Sequence, residues 1–265
     1  MNIEYLKENI HTAWAGRTIY AYQEIDSTNM QAKRLAMEGA SSGTLVLAES
    51  QTQGRGRRGR IWESPEKSSI YMSLMIRPQI RPENASMLTL VMGLSVVQAM
   101  EKVWNVKTGI KWPNDVVWNQ KKAVGILTEM CVDSQGIGHV VIGVGINVNT
   151  PSFTEELQDK ATSAFLELGY QVEREPLIVE IMEIFERNYA VFEKTQNLVG
   201  LKAAYEKVLL NKQQNVRVLQ PGNAYVGIAL GINDCGELLV KKEDGNIETV
   251  YAGEVSVRGL YSYAL

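Results

Sequence analysis

Four arginines crowd into one short glycine-rich segment, which reads Gly-Arg-Gly-Arg-Arg-Gly-Arg from residue 54 to residue 60. Each guanidinium offers a forked set of donors that pairs bidentately with phosphate or carboxylate groups. Like charges at this density repel one another unless an anion lies between them, and the glycines leave the backbone free to fold over a ligand. The segment predicts a site for a small phosphate-bearing ligand, with a solvated surface loop or a nucleic-acid-binding tail as the alternative.

The same segment contains the pattern G-x-G-x-x-G, yet it predicts neither of the common nucleotide-binding loops. A dinucleotide-binding turn needs a helix that begins at its last glycine, whereas the residues that follow here end in Pro65 and do not start a helix. A Walker-type loop ends in Gly-Lys-Ser or Gly-Lys-Thr, and the segment has no such ending. Both classes of nucleotide-binding loop are therefore excluded.

A second candidate group is the run Lys111-Trp112-Pro113-Asn114-Asp115, which begins at the end of an expected strand. Lys111 suits phosphate as a point charge, and the aromatic ring of Trp112 can pack on a base or another ring. Asp115 can receive a proton or help to place Mg²⁺. The alternative for this run is an ordinary capped turn.

Two further segments carry polar groups at the ends of apolar strands. Lys122 starts a buried strand, in which Gly125 permits close approach of another backbone or a ligand. Asn147 ends the strand that contains Gly143 and Gly145, and its amide can reach a nucleotide or a phosphate. An exposed hairpin lysine and a β-bulge with a capping asparagine are the respective alternatives.

The composition limits the classes of function. The 265 residues carry a net charge of −3, with a pI near 5.6, which opposes a nucleic-acid partner held by a broad basic face. Cys131 and Cys235 match no metal or redox spacing, so a reduced, cytoplasmic setting is expected. Only His11 and His139 could serve a histidine-dependent hydrolase, and His139 is predicted to be a strand residue; a histidine metal cluster is excluded.

No membrane partner is expected, because no apolar run approaches the ~18 residues of a membrane helix and residues 1–14 lack the apolar centre of a secretory signal.

Hydrophobic periodicity and turn residues divide the chain into elements. Polar side chains at 26–29 are expected to cap the first predicted helix, and Gly39 to end it. The predicted helices are 30–38, 84–104, 161–168, 176–195 and 198–209. The predicted strands are 19–25, 44–49, 69–77, 107–112, 116–118, 123–131 and 138–148, followed by 215–219, 224–232, 237–241, 247–252 and 254–260. The last five predict a small β-barrel that begins near Asn211.

In their order and spacing, these segments together resemble the biotin–protein ligase family, from about residue 20 to the C-terminus. The arginine segment combined with the run 111–115 is the most specific part of the resemblance. The matching pieces are Asp26-Ser27-Thr28-Asn29, Gln51 with residues 54–60 and Trp62, Lys111-Trp112-Pro113-Asn114-Asp115, Lys122 with Gly125-Ile126-Leu127, Gly143-Val144-Gly145-Ile146-Asn147, and Gly253-Glu254-Val255-Ser256-Val257-Arg258.

The resemblance implies an α+β fold, with a mixed β-sheet catalytic domain flanked by helices at residues 1–210 and a small SH3-like β-barrel at 211–265. It also implies a ligase that uses ATP and Mg²⁺ to convert biotin to biotinyl-5'-AMP. The biotin is then transferred to a lysine of an acceptor, which by family is the biotin-carrier domain of a biotin-dependent carboxylase.

Site residues are likewise implied by the resemblance. Arg57 and Lys122 are assigned to the reacting carboxylate and α-phosphate, and Asp115 is the candidate that helps the acceptor lysine to lose its proton. Mg²⁺ is expected on the phosphates, with Asp115 as a candidate ligand. The biotin pocket is expected to include Ser27, Thr28, Asn29, Gln51, Gly54, Arg55, Gly56, Arg57, Lys122 and Gly125. ATP and the adenylate are expected to contact Arg57, Arg58, Arg60, Trp62, Lys111, Asn114, Lys122, Asn147 and Arg258.

Some alternatives stay open. A lipoate–protein ligase shares the catalytic fold, although the arginine segment and the C-terminal barrel favour biotin. A non-catalytic nucleic-acid or peptide-binding module is supported by the arginines and opposed by the acidic pI. The residues before Asp26 are too few for a winged helix-turn-helix module, so no repressor role is expected. Exposed strand edges leave the pairing of two chains open.

Overall fold

The computed structural model of the chain describes residues 1–133, 136–220, 223–252 and 256–259. The helices are α1 (Ile3–Asn9), α2 (Thr28–Met37), α3 (Met87–Trp104), α4 (Ala164–Leu168), α5 (Glu175–Thr195) and α6 (Lys202–Val208). The first seven strands are β1 (Thr18–Ile25), β2 (Thr44–Gln51), β3 (Ser69–Ile76), β4 (Gly109–Lys111), β5 (Asp115–Trp118), β6 (Lys121–Asp133) and β7 (Gly136–Asn147). The last five are β8 (Asn215–Gln220), β9 (Asn223–Ile232), β10 (Leu238–Lys241), β11 (Ile247–Val250) and β12 (Ser256–Gly259).

Seven strands form one mixed sheet in the order β1-β2-β3-β7-β6-β5-β4. Only β1 and β2 run parallel, because α2 connects them as a crossover; each of the other neighbouring pairs is antiparallel. The β6–β7 hairpin therefore lies inside the sheet, between β3 on one side and β5 on the other. This arrangement brings together segments that are far apart in the sequence.

Helices cover both faces of this sheet, which explains the continuous burial of β2 and β3. Leu45 and Leu47 belong to the main core with α3 and α5. Val46, between them in the sequence, packs against α2 with Met75 and Val141. Successive strand residues point to opposite faces, so a strand buried on both sides needs apolar residues at every position. The predicted mixed sheet flanked by helices is confirmed.

Helix α3, together with the turn before it, corrects one expectation from the sequence. Pro82–Trp104 is long and apolar enough to span a membrane by length and composition alone, although no apolar run of that kind was expected. However, 67% of the apolar window is buried inside the protein. Leu88, Val91 and Met92 join the main core. The helix therefore has the position of a central core helix packed between the sheet and α5.

The last five strands form a second, antiparallel sheet in the order β11-β10-β9-β8-β12, as the SH3-like domain predicts. It is attached to the end of β4. The Asn211 side-chain oxygen accepts a hydrogen bond from the Trp112 backbone N–H at 2.7 Å, and the Trp112 indole donates to the Gly236 carbonyl at 2.9 Å. Asn211 is fully buried. These contacts fix residues 111–115 against the second sheet.

Several local predictions differ from the structure. Helix α1 was not predicted from the sequence. Helix α2 begins at Thr28, and the Ser27 side chain makes no capping hydrogen bond, so the expected capping role of residues 26–29 was wrong. Gly39 follows the helix with a φ of +90°, as expected. Predicted strand residues 254–255 and 260, and residues 253–255 of the resemblance, lie outside the described residues.

Candidate active site

A cavity opens over the middle of the large sheet, where β6 and β7 pair. The start of α2, the end of β2, the arginine segment and the β4–β5 turn surround it. Its lining consists of Ser27, Thr28, Asn29, Gln51, Arg55, Gly56, Arg57, Trp62, Tyr71, Met72, Asn114, Lys122, Gly125, Ile126, Leu127, Gly143, Val144 and Gly145. The fold thus brings five of the predicted segments to one place.

One end of the cavity is polar and closely hydrogen bonded. The Gln51 side-chain oxygen accepts the Thr28 backbone N–H at 2.8 Å and lies 3.1 Å from the Thr28 hydroxyl. The Gln51 amide nitrogen donates to the Ser64 hydroxyl at 2.9 Å. Thr28 is 4% exposed, so these groups are held away from bulk water. Such an end can recognise a small polar ring by hydrogen bonds.

Asn29 lies beside this polar end, but its side chain is already engaged by the protein. Its amide nitrogen donates to the Glu129 carboxylate at 2.7 Å and to the Leu127 carbonyl at 3.3 Å. Its oxygen lies 2.6 Å from the Ser73 hydroxyl. Asn29 therefore forms part of the cavity wall with its amide satisfied internally, and its place in a biotin pocket stays a prediction.

The arginine segment forms a tight hairpin beside the cavity. The Gly56 N–H donates to the Arg60 carbonyl at 2.7 Å, and the Trp62 N–H donates to the Gly54 carbonyl at 3.0 Å. Arg58 adopts a left-handed conformation with a φ of 60° at the tip. Arg58 and Arg60 are exposed, whereas Arg57 is half-buried. The hairpin thus presents Arg57 to the cavity and leaves its tip in solvent.

Arg57 connects the hairpin to two other parts of the protein. One guanidinium nitrogen donates to the Asn114 side-chain oxygen at 2.7 Å, and the other donates to the Ala252 carbonyl at 2.7 Å. Burial lowers the pKa of Arg57, the charge of Asp115 opposes this effect, and the charge of Arg58 adds to it. The guanidinium remains a cation at neutral pH because arginine titrates far above that range.

The indole of Trp62 lies on the sheet where two glycines leave room for it. A Cβ atom on Gly125 would stand 2.6 Å from the ring, and one on Gly145 would stand 2.5 Å from it. Real side chains do not approach this closely, so both positions require glycine for this contact. The Lys122 ammonium lies 5.1 Å from the centre of the same ring, at cation–π distance.

Lys122 is one of three cationic side chains that line the cavity, and its position is fixed from two sides. Its ammonium pairs with Asp115 at 2.6 Å. Its backbone N–H donates to the Lys160 carbonyl at 2.8 Å, and its carbonyl accepts from Thr162 at 2.9 Å. The Thr162 carbonyl also accepts a hydrogen bond from the Asn147 side-chain amide at 3.0 Å. Asn147 thus holds the loop that follows β7.

Lys111 is a buried cation, with 6% of its surface exposed. Burial lowers its pKa to about 8; Asp115 opposes the shift, and the charges of Lys122, Arg258 and Arg60 add to it. An anion near Lys111 would raise this pKa again, because it favours the charged form. The exposed Arg60 and Arg258 therefore contribute to the positive potential at Lys111, although neither lines the cavity.

The predicted site residues thus fall into two groups. Eleven of them line the cavity: Ser27, Thr28, Asn29, Gln51, Arg55, Gly56, Arg57, Trp62, Asn114, Lys122 and Gly125. The others lie behind or beside it: Gly54, Arg58, Arg60, Lys111, Asp115, Asn147 and Arg258. Which of these residues contact a ligand stays a prediction.

Several residues that shape the cavity were not predicted from the sequence. Tyr71 and Met72 line it from β3, and Ser73 and Glu129 hold Asn29 from behind. Burial on both faces of the sheet hid them, since a serine or an acidic residue within an apolar strand reads only as a break in the pattern. Ser73 and Glu129 are polar residues in strands that are otherwise apolar, and this was the available signal.

The other sequence candidates have structural positions. His139 is 6% exposed within β7, opposite Cys131, which confirms the strand prediction. Cys131 and Cys235 are free thiols. Among the described residues, no group of three histidine, cysteine or acidic side chains gathers into a metal site.

Comparison with known proteins identifies the family. Residues 21–147 match the biotin/lipoate A/B protein ligase family, and residues 214–258 match the biotin protein ligase C-terminal domain. A bifunctional ligase/repressor from Bacillus spizizenii is 38% identical over 95% of this chain and 78% of its own length. A biotin–[acetyl-CoA-carboxylase] ligase from Mycobacterium tuberculosis is 33% identical over 94% of this chain and 93% of its own length.

A solved structure agrees with these sequence relatives. The biotin protein ligase from Aquifex aeolicus, in complex with biotin and ATP, superposes with a TM-score of 0.81 at 32% identity. The match covers 92% of this chain and 99% of the other. With both domains matched and a sequence identity above 30% over nearly the whole chain, this protein belongs to the biotin protein ligase family.

Proposed function

We propose that the chain activates biotin with ATP to form biotinyl-5'-AMP and transfers the biotinyl group to a lysine of a biotin-carrier protein. The observation that carries this proposal is the cavity itself, in which a polar end at Thr28 and Gln51 is joined to a cationic end at Arg57 and Lys122. Biotin has a matching shape, with a polar ureido ring at one end and a carboxylate at the other.

The cationic end suits the first reaction. The biotin carboxylate is ionised at neutral pH, so its attack on the α-phosphorus of ATP needs no base but brings two anions together. Arg57 and Lys122 offset this repulsion, and preorganised charges of this kind are the largest contribution in many enzymes. Pyrophosphate leaves as the carboxylate–phosphorus bond forms. Lys111, Arg60 and Arg258 contribute positive potential for the polyphosphate.

Mg²⁺ neutralises phosphate charge when it is bound with ATP, and it commonly takes only one or two carboxylates from the protein. Asp115 is the candidate carboxylate, although in this structure it pairs with Lys122. This donor set fits an ion that is held mainly by the nucleotide.

The mixed anhydride must be protected from water until the acceptor arrives. Arg57 ties the hairpin to Asn114 and Ala252, so the hairpin is placed to cover the anhydride. The acceptor amine then attacks the acyl carbon, AMP leaves, and the amine loses its proton. We assign Asp115 to assist that proton loss, and we place the division between the catalytic and C-terminal domains at residue 211.

A single incubation tests the proposal. Purified chain is mixed with biotin, ATP, Mg²⁺ and a biotin-carrier domain, and the carrier is weighed by mass spectrometry; parallel reactions contain lipoate or lack ATP. One biotinyl group per carrier, dependent on ATP, is expected. Lipoylation in place of biotinylation would favour the lipoate-ligase alternative. Salt-sensitive binding of RNA without acyl transfer would favour the binding-module alternative.

A further inference from the structure

A chain of buried hydrogen bonds links the surface side of β6 to the polar end of the cavity. It begins at the Glu129 carboxylate, passes through Asn29 and Ser73, and ends at Thr28. Ser73 is fully buried, and Asn29 and Thr28 are each 4% exposed. Because these hydrogen bonds are buried away from water, each hydroxyl or amide proton is donated in one definite direction.

The outer end of the chain sets that direction. Glu129 receives the Lys33 ammonium on one oxygen at 2.6 Å and the Asn29 amide nitrogen on the other at 2.7 Å. Burial raises the pKa of Glu129, but the hydrogen bonds from Lys33 and Asn29 outweigh it and lower the pKa below its usual value. An ionised carboxylate can only accept hydrogen bonds. The Asn29 amide must therefore turn its NH₂ group to Glu129 and its oxygen to Ser73.

This orientation determines where the hydroxyl protons point. The Asn29 side-chain oxygen cannot donate, so Ser73 must donate its single hydroxyl proton to that oxygen, 2.6 Å away. The Ser73 and Thr28 hydroxyl oxygens lie 2.8 Å apart. Because the single Ser73 proton is given to Asn29, we assign Thr28 as the donor between the two hydroxyls. In this assignment the Thr28 hydroxyl gives its proton to Ser73 and not to the Gln51 side-chain oxygen, although the Thr28 and Gln51 oxygens are only 3.1 Å apart.

The Gln51 side chain, at the same polar end of the cavity, is also held in one orientation. Ser64 donates its proton to the Trp62 carbonyl at 3.1 Å, so it can only accept from the Gln51 amide nitrogen. The Gln51 oxygen therefore faces Thr28, where it accepts the backbone N–H at 2.8 Å. A carbonyl oxygen has two lone pairs, and the second is left for a ligand.

We propose that Glu129, Lys33 and Ser73 are positioning residues that make the polar end of the cavity an acceptor site and so select a ring that carries N–H donors. The acceptors are the Thr28 hydroxyl oxygen and the Gln51 side-chain oxygen. The two N–H groups of a ureido ring satisfy them, whereas a dithiolane ring would leave both unpaired, a strong basis for discrimination. This inference rests on the proposed function, because it takes the cavity as the biotin pocket.

The substitution Glu129→Gln tests the direction of the chain. Lys33 requires an acceptor, so the introduced glutamine is expected to turn its oxygen to Lys33 and its NH₂ group towards Asn29. Two donors then face each other, and the Asn29 amide must rotate. We expect biotin, titrated calorimetrically without ATP, to bind roughly tenfold more weakly, with a raised KM for biotin and an unchanged kcat. Ser73→Ala, which removes only the relay hydroxyl, should weaken binding to a similar extent.

The double variant Lys33→Met/Glu129→Gln separates direction from mere packing. Without the lysine, the introduced glutamine can turn its oxygen back to Asn29, so biotin affinity should recover most of the loss. Glu180→Gln is the matched control, since Glu180 pairs with Lys102 at 2.7 Å outside the cavity. It should bind biotin as the unaltered chain does, and unfolding temperatures report whether each variant is folded.

The outcomes distinguish this inference from the proposed function. If the unaltered chain binds no biotin, the proposed function fails. If it binds biotin but folded Glu129→Gln and Ser73→Ala bind equally well, or if the double variant is no tighter than Glu129→Gln alone, the inference is overturned and the proposed function stands.

Discussion

Replacement of Arg57 by glycine should let the activated intermediate escape from the enzyme. The Arg57 side chain makes two hydrogen bonds, at 2.7 Å each, which hold the hairpin to Asn114 and to the carbonyl of Ala252. Arg57→Gly removes both without changing the backbone contacts between Gly56 and Arg60. The hairpin then remains formed but loses its attachment over the cavity.

The size of the effect follows from the number of lost hydrogen bonds. Hydrogen bonds that involve a charged group contribute about 1.5–3 kcal/mol each when buried. Because Arg57 is only half-buried, solvent screening reduces the contribution of each of its hydrogen bonds to about 1–2 kcal/mol. The two hydrogen bonds together then contribute about 2–4 kcal/mol. Release of biotinyl-5'-AMP should therefore be ~30- to 1,000-fold faster, with adenylate formation still measurable.

A direct assay follows the release of radiolabelled biotinyl-5'-AMP from the preformed complex after a chase with unlabelled biotin and ATP. Free adenylate should also acylate exposed lysines of an unrelated protein added to the reaction. Arg81→Gly is the matched control, because Arg81 is an exposed loop arginine outside the cavity lining. If Arg57→Gly retains the adenylate as long as this control does, the covering role of Arg57 is refuted.

Three further predictions concern the cationic end and the sheet surface. Lys122→Met should slow single-turnover adenylate formation by ~30- to 1,000-fold, as expected for loss of a charge beside the reacting groups; an unchanged rate would remove Lys122 from the first reaction. Gly145→Val should weaken biotin binding at least tenfold, because the added Cβ would stand 2.5 Å from the Trp62 ring and displace it. Gly169→Val is the control, since a Cβ at Gly169 meets no neighbouring atom and the substitution reports only backbone strain. Equal biotin affinities of the two variants would contradict the fit at Gly145. Burial lowers the pKa of Lys111 to about 8, so its positive charge is lost as pH rises through that value. The KM for ATP should therefore rise above pH 8 in the unaltered chain and change less with pH in Lys111→Met. Parallel pH profiles of KM would exclude Lys111 as the titrating group.

The sequence predicted the sheet and the main site segments because both depend on local patterns. Alternation and continuous apolar runs located β2, β3, β6 and β7, and the chemistry of arginine was enough to identify residues 54–60 as a binding segment. Spacing alone could not show that Arg57 faces the cavity while Arg58 and Arg60 face solvent, since a left-handed residue at Arg58 turns the tip outward.

Other features depend on tertiary contacts that no local pattern reveals. The polar quartet at 26–29 resembles a helix cap, but Thr28 and Asn29 are drawn into contacts with Gln51 and Glu129, which lie 23 and 100 residues further along the chain. The predicted helix 161–168 is shortened to Ala164–Leu168 because Ala161 and Thr162 pair with the backbone of Lys122. In both places, tertiary contacts override the local preference.

A crystal structure of the chain with biotinyl-5'-AMP would test the central claim most directly. The acyl phosphate should lie beneath residues 54–60, within hydrogen-bonding distance of Arg57 and Lys122, with the ureido ring at Thr28 and Gln51. An adenylate bound elsewhere, with these four side chains still bonded only to one another and to the protein, would contradict the proposed site.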